Sequence, residues 1–171
     1  MNERPDKTEA APYYFRYIDR VPEGDVVGTL ETQRRAAAEL FGSISDQKSL
    51  HRYGPGKWSI RAVANHVTDT ERVFLTRAFW FGRGFESPLP SFEQDVAAAA
   101  ARADDVPWAR HVEEFDAVRR STIAFFRNLP SYAWTRRGVA SDNPVTVRAL
   151  AWITAGHADH HLAILKGKCE V

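Results

Sequence analysis

Apolar residues along this chain recur mostly at intervals of three and four, the period of a helix with one face turned to a core. Between Asp25 and Ile44 the positions Val26, Leu30, Ala37, Leu40 and Phe41 form such a stripe, and Gly42 with Ser43 loosens its end. The breaker cluster Tyr53-Gly-Pro-Gly-Lys57 then leads to Ser59, a residue suited to capping a second helix over Ile60 to Trp80. Val63, His66, Val67, Thr70, Phe74 and Ala78 share one side of it, so a histidine stands amid apolar neighbours. Gly82, Gly84, Pro88 and Pro90 close this helix, and the alanine-rich stretch from Phe92 to Ala103 reads as a short extra helix. A third long helix starts near Pro107 and carries Val112, Phe115, Val118, Ile123 and Phe126 before Pro130 stops it. Thr146 caps the last one, Val147 to Lys166, which bears Leu150, Ile153, His157, His161, Ile164 and Leu165. Val139 to Val147 has room for a short extended piece, but no strand alternation of convincing length and no internal repeat is present. The prediction is an all-α four-helix bundle with a short extra helix between its second and third long helices.

Residues 1–12 are rich in charge, Ala and Pro and read as a flexible N-terminal arm, leaving 13–171 as a single helical domain. At 171 residues the chain can bury a core without a disulfide or structural metal, so a metal here would serve function before folding. With 23 Lys and Arg against 22 Asp and Glu, the net charge of +1 gives no field that would draw nucleic acid or an acidic membrane. No apolar run approaches the roughly 20 residues of a membrane span, and the polar start lacks a signal-peptide core, which points to the cytoplasm. The single cysteine, Cys169, has no internal partner and reads as incidental.

The chemistry concentrates in TAGHADHHLAIL. His157 and His161, four apart on a helix, place two imidazoles on one face, close enough to reach one cation at about 2.0–2.1 Å. In a bundle core, side chains from facing helices converge on the axis, so His66 on the second helix could meet His157 and His161 from the fourth. Three protein ligands leave a position for water or substrate, and three neutral imidazoles suit Zn, Ni, Fe or Co. Spacing alone leaves open that these are separate buried histidines, each held by hydrogen bonds. His160 points about 100° from His161 and is expected beside the site or at the surface. His51, before the second helix, and His111, on the charged side of the third, are not expected to ligate. Asp69 and Thr70 fall near the His66 face: Asp69 is a candidate general acid or base, and Thr70 could orient a ligand or touch substrate. Glu71 points away and is expected to pair with an arginine, near Arg72 or in a loop. Trp58, Trp134 and Trp152 are candidates for a pocket mouth, Trp58 and Trp152 for substrate contact. A di-iron site is disfavoured because paired Glu-x-x-His motifs are absent.

The segments GKWSIRAVANHVTDTERVFLTRA, PLPSFEQD and NPVTVRALAWITAGHADHHLAIL resemble the DinB/YfiT-like family, over about Tyr17 to Leu165. The resemblance rests on one histidine in the second helix and a His-x-x-x-His pair in the fourth, matched by His66, His157 and His161, with Trp-Ser-x-Arg and Gly-His-x-x-His-His around them. It implies a four-helix bundle, commonly a homodimer, holding Zn, Ni or another divalent ion, Fe included, on the three histidines. It further implies a small-molecule substrate and, in some relatives, a low-molecular-weight thiol used by transferases or an isomerase. The expected function is metal activation of a thiol or water for S-transfer or hydrolysis. The alternative is a noncatalytic metal- or ligand-binding stress-response protein.

Overall fold

The computed structural model describes residues 3–169. Its long helices begin where the sequence offers a capping oxygen. Asp25 accepts from Val27 N at 3.0 Å, Ser59 Oγ from Ala62 N at 3.0 Å, and Thr146 Oγ1 from Ala149 N at 3.0 Å, each satisfying an amide that has no partner in the first helical turn. The elements are a one-turn α1 (Phe15–Ile18), α2 (Val26–Gly42), α3 (Ile60–Gly82), the short α4 (Gln94–Ala101), α5 (Trp108–Arg127), a hairpin of β1 (Arg137–Ala140) and β2 (Asn143–Thr146), and α6 (Val147–Lys168). Helices α2, α3, α5 and α6 form the four-helix bundle, with α3 packed on both α5 and α6 and α2 on the same two. The extended piece expected before α6 is the antiparallel hairpin, pairing Arg137 with Thr146 and Ala140 with Asn143. Ser141 and Asp142 at its tip have φ of 53° and 59°, the double left-handed conformation of a two-residue turn that follows strand twist.

Two apolar clusters fill the interior. One joins α1, the start of α2, the ends of α3 and α5, the start of α6 and the hairpin, around Trp152, Phe81 and Phe126. The other joins the end of α2, the start of α3, α5 and the end of α6, around Phe41, Ile60 and Leu165. On α3 the changeover falls between Val67 and Phe74, and on α6 between Ala155 and Ala158. His157 sits at the second changeover and His66 one residue before the first. Beside them a polar network ties the helices together. Arg119 of α5, 0% exposed, donates from Nε and Nη2 to the carboxylate of Glu71 of α3 at 2.8–3.0 Å, and from Nη1 to Gln33 Oε1 of α2 at 3.1 Å. Gln33 Nε2 donates in turn to the Ala155 carbonyl of α6 at 2.9 Å. Glu71 thus does find an arginine, but on a facing helix, where burial makes the pairing obligatory.

The segment read as an arm lies along the bundle where it is described. Arg4 Nη1 donates to Ile18 O at 2.9 Å and stacks on Trp152 at 5.0 Å, and Glu9 pairs with Arg148 and accepts from Thr146 Oγ1 at 2.8 Å. Residues 1–2 lie outside the described residues. Cys169, expected at a loose end, is buried against the second apolar cluster. No helix among the described residues is long and apolar enough to cross a membrane.

Candidate metal centre

The crossing of α3 and α6 brings three rings together. One ring nitrogen from each of His66, His157 and His161 lies within 4.8 Å of the others. Ring centroids stand 5.0 Å apart for His66 and His157, 4.8 Å for His66 and His161, and 4.5 Å for His157 and His161. The Nε2 atoms of His66 and His157 are 3.2 Å apart, close to the roughly 3.3 Å that two nitrogens bound at about 2.0–2.1 Å to a tetrahedral ion keep from each other. His66 turns its other nitrogen, Nδ1, toward Thr70 Oγ1 at 3.4 Å. With Nε2 left free for a metal, Nδ1 is the protonated nitrogen, and the Thr70 hydroxyl is there to accept its hydrogen bond.

Burial holds these rings in the form a metal needs. Desolvation brings His66 down to about 4 against partial support from Asp69 and Asp95. His161 is brought down to about 3 by burial and by its neighbours His66 and His160. His157 lies well below the ordinary histidine value, through burial first, then His161, His66, His160 and the Arg119 guanidinium. Near neutral pH all three are uncharged imidazoles, the protonation state that donates a lone pair to a cation. Donor type, convergence and protonation all fit a divalent ion of borderline softness such as Zn or Ni.

The neighbouring candidates divide. His160 is half-buried beside the cluster, its ring 5.1 Å from His161 and 5.7 Å from Tyr17. His51 is exposed. His111, expected on the charged side of its helix, faces inward instead: it is 2% exposed and its Nε2 donates to Ala103 O at 2.9 Å, because the loop before α5 folds over it. The Asp69 carboxylate is held by Arg72 at 2.9 Å and Asn65 Nδ2 at 2.6 Å, and it reaches His66 through its charge. Trp58 stands beside His66 with ring centroids 4.9 Å apart. Trp152 is 0% exposed within the first apolar cluster, so a substrate cannot reach it. Its place five residues before His157 turns it about 140° from that ring. Trp134 is buried against Phe126, with ring centroids 5.6 Å apart, away from the histidines.

Two cavities open on the cluster. One of about 190 Å³ is lined by Trp58, Val63 and His161. The other, of about 240 Å³, is lined by Tyr17, Thr70, Phe74, Arg77 and His157. Larger surface depressions of about 520 and 620 Å³ touch none of the three histidines. Tyr17 was not foreseen as a site residue. Its ring meets His157 edge-on at 5.3 Å, and its hydroxyl lies 3.4 Å from that of Tyr13. Burial, and then Tyr13, push it well above the ordinary tyrosine range, so it stays a protonated donor. Its position depends on Gly156, where a Cβ would stand 2.0 Å from the Tyr17 carbonyl oxygen. Only a glycine lets α1 rest on α6 this closely.

Comparison with known proteins agrees with this architecture. The profile of the DinB superfamily matches residues 29–165. A protein of Oceanobacillus iheyensis, named as a proposed metal-dependent hydrolase, is 23% identical over 139 residues, spanning 80% of this chain and 79% of its own length. Among solved structures, YfiT from Bacillus subtilis, described as a proposed metal-dependent hydrolase with an unusual four-helix bundle topology, superposes with a TM-score of 0.70 at 15% identity, over 95% of this chain and 89% of that one. The mycothiol-dependent maleylpyruvate isomerase superposes with a TM-score of 0.69 at 11% identity, over 85% of this chain and 61% of the isomerase. At such identities the two structural likenesses speak for the fold alone.

Proposed function

The chain belongs to the DinB superfamily, and from that premise we propose that it is a metal-dependent enzyme whose single divalent ion is held by His66, His157 and His161. Zn and Ni suit the imidazole set best, with Fe a third choice. The observation that carries this reading is the convergence of three neutral ring nitrogens within 4.8 Å at the edge of two cavities. A bound ion would supply Lewis acidity, lowering the pKa of a water or thiol placed beside it toward neutrality.

The chain's own groups would do the rest. Thr70 fixes the tautomer and orientation of His66 through Nδ1. Trp58 and Val63 wall the cavity at His161, and Tyr17 and Phe74 wall the one at His157. The two openings suit a nucleophile and an electrophile arriving from different sides, a small thiol or water on one and a small-molecule substrate on the other. The Tyr17 hydroxyl, kept protonated, is positioned to donate to oxygen charge that develops in the cavity it lines. A metal-dependent hydrolase is named among the relatives, and a thiol-dependent isomerase among proteins of the same fold; water and thiol are therefore both taken as nucleophiles.

The test is turnover by protein loaded with one equivalent of Zn, Ni or Fe, assayed against ester, amide and alkyl-halide electrophiles with and without a small thiol. Metal-dependent turnover lost on His157→Ala is expected, and its dependence on added thiol assigns transfer or hydrolysis. Stoichiometric metal with no turnover across the panel would overturn the enzymatic reading in favour of a binding protein.

A further inference from the structure

Three arginines among the described residues are almost completely buried: Arg61 at 4%, Arg77 at 5% and Arg119 at 0% exposure. Two have a carboxylate. Arg119 meets Glu71 at 2.8 Å and Arg61 meets Asp46 at 2.8 Å. Arg77 does not. Its hydrogen bonds run from Nη2 alone, to the Pro90 carbonyl and to Ser141 Oγ, both at 2.9 Å, so Nε–H and the Nη1 donors have no protein acceptor. These donors are not sealed in the core, where an unpaired cation would be costly, since no nitrogen of Arg77 is among the fully buried, unpartnered polar atoms. Arg77 also lines the cavity of about 240 Å³ that reaches His157.

The surroundings hold this cation in place. Thr70, Phe74 and Arg77 follow His66 along one stripe of α3, which sets the Arg77 backbone about three turns beyond that of His66. The left-handed tip of the hairpin presents the Ser141 hydroxyl to it. Leu89 joins the edge of β1, its N donating to Val139 O at 2.9 Å and its O accepting from Ser141 N at 3.1 Å, which brings the next carbonyl, that of Pro90, within reach of Nη2. Two protein bonds thus orient the fork while leaving its remaining donors for a ligand. The cavity that Arg77 and His157 share is walled by Tyr14, Tyr17, Phe74 and Phe92, rings suited to a carbon skeleton, with Thr70 and Gln94 among its polar lining.

We infer that this cavity binds a small organic acid with an apolar or aromatic body, its carboxylate on Arg77 and its other end toward the three-histidine centre. This substrate class rests on the metal reading given above for the catalytic end, whereas the carboxylate subsite stands on Arg77 alone. Arg77 is on this account a specificity residue: it selects the acid and sets how far the reacting atom lies from His157.

The experiment titrates phenylacetate into the full chain, zinc-loaded and after chelation, by calorimetry and by the Arg77 Nε–H resonance. Phenylacetamide and phenyl phosphate serve as controls. Phenylacetate is expected to shift the Arg77 resonance and to bind about tenfold or more tightly than phenylacetamide. Arg77→Gln should lose at least about tenfold in affinity while retaining the wild-type zinc content and helical circular dichroism, and Arg77→Lys should fall between. Equal binding of acid and amide, wild-type affinity in Arg77→Gln, or an unmoved Arg77 resonance would each overturn the proposal, the last without any variant needing to fold. Binding of phenyl phosphate but not phenylacetate would overturn the carboxylate assignment. Arg77-dependent binding in the chelated protein or in His157→Ala would uphold this subsite even if the metal reading fails. Zinc binding without Arg77-dependent acid binding would refute the subsite alone.

Discussion

His66 Nε2 and His157 Nε2 face each other at 3.2 Å across the crossing of α3 and α6, although their residues lie 91 positions apart in the chain. Two helices are thereby held at the separation that two nitrogens bound to one tetrahedral ion would keep. His157→Ala should abolish stoichiometric metal by elemental analysis while leaving the helical circular dichroism intact, because the removed ring belongs to the centre and the flanking apolar clusters persist. Thr70→Val, which removes only the acceptor at His66 Nδ1, should weaken metal affinity by about 10–100-fold. Wild-type affinity in Thr70→Val would mean that the threonine does not orient the ring.

The same burial makes the metal-free protein sensitive to acid. His66 and His161 have folded values of about 4 and about 3 against an ordinary 6.5, and His157 is depressed as well. Below about pH 6.5 the unfolded chain takes up protons that the folded chain refuses, so the stability present at neutrality is lost as pH falls toward about 4. The expected loss is on the order of a few kcal/mol, read as a falling midpoint in urea titrations between pH 7 and 4. His66→Gln should flatten that slope, and an unchanged slope would count against the buried triad as its source.

Arg119 and Glu71 form a buried pair that reaches α2 and α6 through Gln33. Removing one partner strands a charge, so Arg119→Met alone should cost about 3–5 kcal/mol, whereas the double change Arg119→Met with Glu71→Leu should cost less. Thermal denaturation of the four proteins of this cycle measures the coupling directly. Simple additivity would show the two charges to be independent.

Gly156→Ala drives a Cβ into the Tyr17 carbonyl. It should destabilise the fold by about 1–3 kcal/mol and should move Tyr17 off His157, visible as a changed tyrosine environment in near-ultraviolet circular dichroism. A variant with wild-type stability and spectrum would show that α1 yields without consequence.

Local rules carried much of this structure. Ser59 and Thr146 cap where a hydroxyl before an apolar periodic run should cap, and the spacing of His157 and His161 announces a shared face without knowledge of the fold. His66 as their companion needed the bundle topology, and the family resemblance supplied the expectation that it is a ligand; the structure brings the three rings together. What escaped depends on contacts between distant segments. Tyr17 reaches the site through a close approach at a glycine, and Arg77 through a turn conformation and a loop carbonyl; neither leaves a periodic trace. His111 looked solvent-facing because its helix carries many charges, yet the loop from Ala103 to Val106 covers it. Trp152, a candidate for the pocket mouth, is instead part of the first apolar cluster, because a tryptophan in a helix reads alike whether it lines a cavity or fills a core.

The contact at Gly156 also fixes which wall of the cavity can give way. Tyr17 is seated on the turn of α6 that bears His157, so a shift of α1 against α6 meets backbone at Gly156 before it can widen the space between ring and imidazole. The opposite wall comes from the connection that holds Pro90 and Phe92, fastened by Leu89 to the hairpin edge and by Pro90 to Arg77. If the pocket takes a substrate, the wall held by these few loop hydrogen bonds is the one whose sequence can change its size without disturbing helix packing. Relatives that accept bulkier molecules should differ in the stretch between α3 and α4, while the tyrosine side stays as it is.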